Sequence, residues 1–199
     1  MSDAVILRFN SDGTLDDSFG SGGIVVFPHA RTWAIAAEVD GKIVVAGEGY
    51  DGLNYGALVL RYNDDGTLDD TFDYDGVAVY NSDTTEYESL NGLAITQEGK
   101  IVVVGTAFNP YTHSYDVLIL RYNTDGTLDN TFGSDGVVMY NRPEWYDEAY
   151  SVATQADGKI VVTGESYSQI TNTNAINLLT LPESRFRNKF GMTHFFLSC

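Results

Sequence analysis

The chain has 199 residues, 43% of them hydrophobic and 13% aromatic, with 28 acidic against 11 basic residues and a formal net charge of −17. That apolar share suffices for a packed core and excludes a largely disordered chain, while the acidic field opposes nonspecific binding to nucleic acid or anionic membrane surfaces. No apolar run approaches the roughly 20 residues of a membrane helix, the start MSDAVILRFN lacks a signal-peptide pattern, and the one cysteine, Cys199, allows neither an internal disulfide nor zinc-cluster spacing.

In chain order, the first predicted elements are a strand over Ala4 to Asn10 and its partner, which together close near residue 28. Four short strands follow between residues 33 and 80: A near Trp33 to Glu38, B near Lys42 to Glu48, C near Ala57 to Asn63 and D near Gly76 to Tyr80. Each is rich in Val, Ile, Leu, Ala or Tyr and bounded by Gly, Asp or Asn, as strands are.

The same units return. Leu7-Arg8-Phe9-Asn10, Asp12-Gly13-Thr14-Leu15-Asp16 and Phe19 recur as Leu60-Arg61-Tyr62-Asn63, Asp65 to Asp69 and Phe72, then as Leu120-Arg121-Tyr122-Asn123, Asp125 to Asp129 and Phe132. A second signature, Asp40-Gly41-Lys42-Ile43-Val44-Val45, recurs from Glu98 and from Asp157 with almost the same period. Such self-similarity marks a repeat architecture. Strands like Ile101 to Val104 are apolar without alternation, which requires burial on both faces. Stacked four-stranded sheets provide that environment, so the predicted fold is all-β, a β-propeller-type array of antiparallel blades, with a solenoid as the competing arrangement.

These two signatures resemble the delta-60 repeats, a bacterial family assigned to a β-propeller domain of unknown function. The resemblance spans roughly residues 4 to 180. It implies the fold but brings no catalytic residues, and it implies a part of a larger, often exported or surface protein; the sequence itself leaves the compartment open.

The repeat divides the chain into a partial first blade over residues 1–28, blades over 29–80 and 81–140, a partial last blade over 141–181 and a non-repeat tail over 182–199. After Leu181 the Arg-Tyr-Asn-x-Asp-Gly run does not come, and the composition turns basic. A frameshifted or truncated reading frame and a capping or dimerising tail are the two explanations. About three blades fall below the usual minimum of four for a ring, so either a longer parent protein or a homodimer completing a six-bladed ring is expected.

In a meandering sheet, successive connections alternate between two edges. The near-constant A–B and C–D turns therefore share one edge, and the varied D–A and B–C loops the other. Varied loops on a rigid scaffold are where binding is expected. His29, Tyr87 and Tyr146, equivalent by their distance from the A–B glycines, are the candidate ligand-binding set with Trp145 and His113, for a glycan or protein ligand. The C–D turns offer a second candidate, since Asn10, Asp12 and Asp16, with Asn63, Asp65 and Asp69 and with Asn123, Asp125 and Asp129, present several oxygens each, as a calcium loop does. They lack the full calcium-loop spacing, and the same residues suit a tight turn; calcium is the one cofactor considered. Arg8, Arg61 and Arg121 are expected to tie strand C to a turn aspartate. No nucleophile and base pair up, so no enzyme is expected; the acidic pairs Glu86 with Glu88 and Glu144 with Asp147 are the weak case for a glycan-active one.

Overall fold

The structure is a computed structural model that describes residues 2–50, 55–82, 87–142 and 145–168, and the backbone of residues 174–181. Among these residues there is no helix; thirteen strands carry the fold. β1 (Ala4–Leu7) pairs antiparallel with β2 (Ile24–Phe27). β3 (Ala30–Ala37), β4 (Ile43–Tyr50), β5 (Tyr55–Tyr62) and β6 (Val77–Tyr80) form an antiparallel meander. A second comprises β7 (Tyr87–Ile95), β8 (Ile101–Asn109), β9 (Ser114–Tyr122) and β10 (Val137–Tyr140). β11 (Trp145–Thr154), β12 (Ile160–Ser168) and β13 (Asn174–Leu181) make the last sheet. A single parallel bridge, Tyr55 to Tyr87, joins the two complete meanders. The sheets are successive propeller blades, in the strand order A to D that the repeat predicts; none closes into a barrel.

Three layers of core lie between successive sheets, and the twofold alternation of strands assigns residues to them. Ala4 and Ile6 pack with Val45, Leu58 and Leu60. Val44, Ala46 and Val59, on the other face of the same strands, pack with Leu90, Ile101, Val103, Leu118 and Leu120. Val102, Val104, Val117 and Ile119 then meet Ala149, Ile160 and Val162. Both faces of β4, β5, β8 and β9 are thus inside, which explains their unbroken apolar runs.

Strand A begins earlier than its composition suggests, at Ala30 rather than near Trp33. His29 falls just before it, whereas Tyr87, Trp145 and Tyr146, read as loop residues, are strand residues. Each A strand carries a β-bulge at the same place, between Thr32 and Ala34, Leu90 and Gly92, and Ala149 and Ser151. Opposite stand Gly47, Gly105 and Gly164, where a Cβ would lie 1.9 Å from the carbonyl oxygen of Arg31, Ser89 and Glu148 respectively. The glycine that closes each Asp-Gly-Lys-Ile-Val-Val-x-Gly signature is therefore required by close backbone approach. The tail 182–199, the loop residues 51–54, 83–86 and 169–173, and Pro143 and Glu144 lie outside the described residues.

Candidate functional site

The two edges of the array have different chemistry. On the constant edge, the C–D turn folds on itself: in the first copy Asn10 N–H donates to the Thr14 carbonyl at 2.8 Å, and the Asp12 carboxylate accepts from the Thr14 amide at 3.0 Å and its hydroxyl at 2.6 Å. Asp65 with Thr67 and Asp125 with Thr127 repeat this. The Thr14 hydroxyl and amide hold the Asp12 carboxyl below its ordinary range, and Asp65 and Asp125 are lowered in the same way. Asn10, Asn63 and Asn123 turn their amide nitrogens inward, onto a threonine hydroxyl and a leucine carbonyl of the same turn.

Asp16, Asp69 and Asp129 occupy a second position. One carboxylate oxygen accepts from Ser18, Thr71 or Thr131. The other takes the Nε of Arg8 at 2.8 Å, of Arg61 at 2.6 Å and of Arg121 at 2.7 Å, which is the ion pair expected from the repeat. In the second and third copies that oxygen also takes Lys42 or Lys100, each at 2.7 Å, from the A–B turn. Burial alone would raise Asp69, but Lys42, Thr71 and Arg61 together hold it well below the carboxylate range; Asp129 behaves alike with Lys100, Thr131 and Arg121. Each guanidinium also lies over a phenylalanine, Arg8 on Phe19, Arg61 on Phe72 and Arg121 on Phe132, at 4.8, 4.7 and 4.5 Å.

The arginines reach onward as well. Arg8 donates to the Asp64 backbone carbonyl and Arg61 to that of Thr124, in each case on the next blade. Beside these bonds, the Gly20 amide donates to the Asp65 carbonyl and the Asp73 amide to that of Asp125, each at 2.8 Å. Gly66 and Gly126 lie under this stitch, and a Cβ there would approach the Gly20 nitrogen to 2.7 Å and the Asp73 nitrogen to 2.4 Å. One carboxylate oxygen of Asp12, Asp65 and Asp125 and both of Asp16, Asp69 and Asp129 are thus engaged by protein donors, and among the described residues no group of three or more His, Cys, Asp or Glu is placed to hold a metal ion.

On the varied edge, aromatic rings run from blade to blade. Tyr50 lies 5.0 Å from Tyr55, which lies 6.3 Å from Tyr87. Tyr87 pairs in register with Phe108. From there Phe108 meets Tyr115 at 5.2 Å, Tyr115 meets Tyr146 at 5.7 Å, and Tyr146 stacks on Tyr167 at 4.9 Å with planes 15° apart. All seven are half-buried and sit at the ends of strands that border the B–C and D–A loops.

Under this girdle lies a layer of buried acids. Glu48 accepts from the Tyr87 hydroxyl of the next blade and pairs with Arg31 at 3.1 Å; Arg31 in turn lies 5.8 Å over Tyr55. Glu88 accepts from the Ser82 amide at 3.0 Å. Asp116 accepts from Asn141 and, at 3.3 Å, from Asn109. Asp147 pairs with Arg142 at 3.1 Å and accepts from Ser166. Burial, reinforced by the bond to Glu48, pushes the Tyr87 hydroxyl well above its ordinary value. Every one of these carboxylates has partners that are part of the fold, and Glu86 and Glu144 lie outside the described residues.

Of the five residues singled out from the sequence, Tyr87 and Tyr146 belong to the girdle. Trp145 is its neighbour, stacked under Arg142 at 4.3 Å. His29 and His113 are exposed on left-handed backbone, with φ of 56° and 50°. Tyr50, Tyr55, Phe108, Tyr115 and Tyr167 were not singled out. Their signal was available: Tyr50, Phe108 and Tyr167 each stand nine residues after the glycine of the A–B turn.

No curated protein matches the chain. A family model does, over residues 2–19, 40–72, 98–132 and 155–179, more than half of the chain, in four stretches that carry the two signatures. The chain belongs to the family described as a β-propeller domain of unknown function (DUF5122).

Proposed function

We propose that the chain is a non-catalytic propeller module that binds an extended ligand, a glycan or a protein segment, along its varied edge. The observation that carries this reading is the girdle from Tyr50 to Tyr167. Seven half-buried aromatic rings cross three blades beside loops that differ between copies. Tyrosine supplies rigid apolar contact area with a hydroxyl at its tip, the chemistry that sugar and peptide recognition uses. The constant edge contributes the turn hydrogen bonds and ion pairs that recur from blade to blade, whereas on the varied edge the loops beside the recurring rings differ between copies.

A non-catalytic reading is favoured because the described buried acids of this edge, Glu48, Glu88, Asp116 and Asp147, accept from Arg31, Tyr87, Arg142, Asn109, Asn141 and the Ser82 amide. Screening the chain on glycan and peptide arrays should yield a ligand whose affinity falls at least tenfold in the Tyr87→Ala, Tyr146→Ala variant. Because both rings also pack, thermal melting of that variant is measured alongside. Undiminished binding by a folded double variant would remove the girdle from the site. Turnover on the glycan panel, abolished by replacing a single loop acid, would overturn the non-catalytic reading.

A further inference from the structure

The first sheet consists of a C and a D strand alone, and the described residues carry three independent marks of the place where its A and B strands would lie. The edge of β1 that faces away from β2 has no partner strand. On the neighbouring blade, Ile35 is 61% exposed, whereas its equivalent Leu93 packs on the core. And Asp16 takes no lysine, although Asp69 and Asp129 each take one from an A–B turn.

The last sheet has the complementary deficit. The lysine of its A–B turn, Lys159, stands where Lys42 and Lys100 stand, but it pairs with Asp157 of its own turn. Its C strand, β13, offers no substitute, since the register that opposes Val44 to Arg61 and Val102 to Arg121 opposes Val161 to Thr180. One A–B hairpin thus lacks the aspartate its lysine meets in other blades, and one C–D turn lacks the lysine.

We propose that these two deficits are the halves of one interface between two copies of the chain: the β11–β12 hairpin of one copy completes the β1–β2 sheet of the other. β1 then takes the edge of β12 that β13 holds in the single chain. By the register of the intact blades, where Ala46 opposes Val59 and Val104 opposes Ile119, Thr163 of one copy opposes Ile6 of the other, and Lys159 reaches Asp16. The exchange favours β1 because it restores the Arg and Asp that β13 does not carry, and because β11 and β12 cover Ile35. By its described strands each copy of this 199-residue chain contributes two four-stranded blades and both halves of a composite one, so two copies make six, within the usual four to eight, whereas closure of one copy on itself makes three. Such reciprocal exchange of identical elements is a low-cost route to a closed dimer.

The full chain is expected to sediment at twice its 21.8 kDa mass. Lys159→Glu, a substitution on an exposed side chain, should weaken the dimer about tenfold by setting like charges against each other at Asp16. In a Cys199→Ser background, oxidising an equimolar mixture of an Ile6→Cys chain and a Thr163→Cys chain should give a disulfide-linked heterodimer. A chain that stays monomeric at all concentrations overturns the proposal, and so does a dimer that ignores Lys159→Glu and gives no heterodimer cross-link.

Discussion

Arg61 shows how much of the blade contact one side chain carries. It bonds Asp69 and Thr71 on its own blade and the Thr124 carbonyl on the next, with the Phe72 ring against its guanidinium. Both it and Asp69 are buried, so removing one partner leaves the other as an uncompensated charge, which costs about 3–5 kcal/mol. Asp69→Ala is expected to lower the unfolding free energy by that amount in a urea titration, with Asp129→Ala alike. The same pairs set an acid limit. The native carboxyls of Asp69 and Asp129 lie below the unfolded value near 4, so their stabilisation is complete above about pH 4 and is lost as pH falls below it. Asp73, raised by burial and by Asp75 and Asp125, acts in the opposite sense. Melting temperature followed from pH 6 to pH 2 should fall steeply below pH 4, and less steeply in a variant lacking one of the two aspartates.

Among the elements, the A strand is where sequence and structure part. Strands B and C were legible because burial on both faces leaves an unbroken apolar run, and the turns because Asp-Gly pairs recur. The start of strand A reads as loop because Arg31, Glu88 and Asp147 are charged there, yet each is satisfied by a side chain or amide that only the fold brings near. The girdle was half legible for the same reason. Tyr87 and Tyr146 are equivalent within the repeat, but contacts such as Tyr55 with Tyr87 and Tyr115 with Tyr146 join different blades. The bulge in strand A was not legible at all, although its mark, the last glycine of the B signature, was in view. Gly105→Ala tests that account. A Cβ 1.9 Å from the Ser89 carbonyl oxygen must push β7 and β8 apart, with an expected loss of at least about 1–3 kcal/mol in chemical denaturation.

Over the whole molecule, equivalent residues have different surroundings according to their blade. Val5, Leu7 and Phe9 are 55%, 48% and 56% exposed, while Leu58, Leu60 and Tyr62 at the same repeat positions are at most 2% exposed. The repeat thus specifies a blade that is saturated only between neighbours, and the outer face of the first sheet keeps an appetite for another sheet. Stability here comes from blade contacts and from turn hydrogen bonds in which Asp12, Asp65 and Asp125 already accept from Thr14, Thr67 and Thr127, and Asp16, Asp69 and Asp129 from the arginines. Melting temperature is therefore expected to be unchanged between millimolar calcium and chelator; a rise of several degrees with calcium would show that the turns exchange these donors for an ion.

The grip of Arg8 on the Asp64 carbonyl and that of Arg61 on the Thr124 carbonyl both point from a blade to its successor. The array therefore has a direction, like a row of hooks and eyes, and the first two joints are built alike. Cutting out one whole period, so that Leu60 is followed by Arg121, removes the hook Arg61 together with the Asp64 carbonyl and leaves Arg8 facing the equivalent Thr124 carbonyl. Blade number can change by whole periods without any new contact having to be invented, and a cut out of phase with the period has no such tolerance.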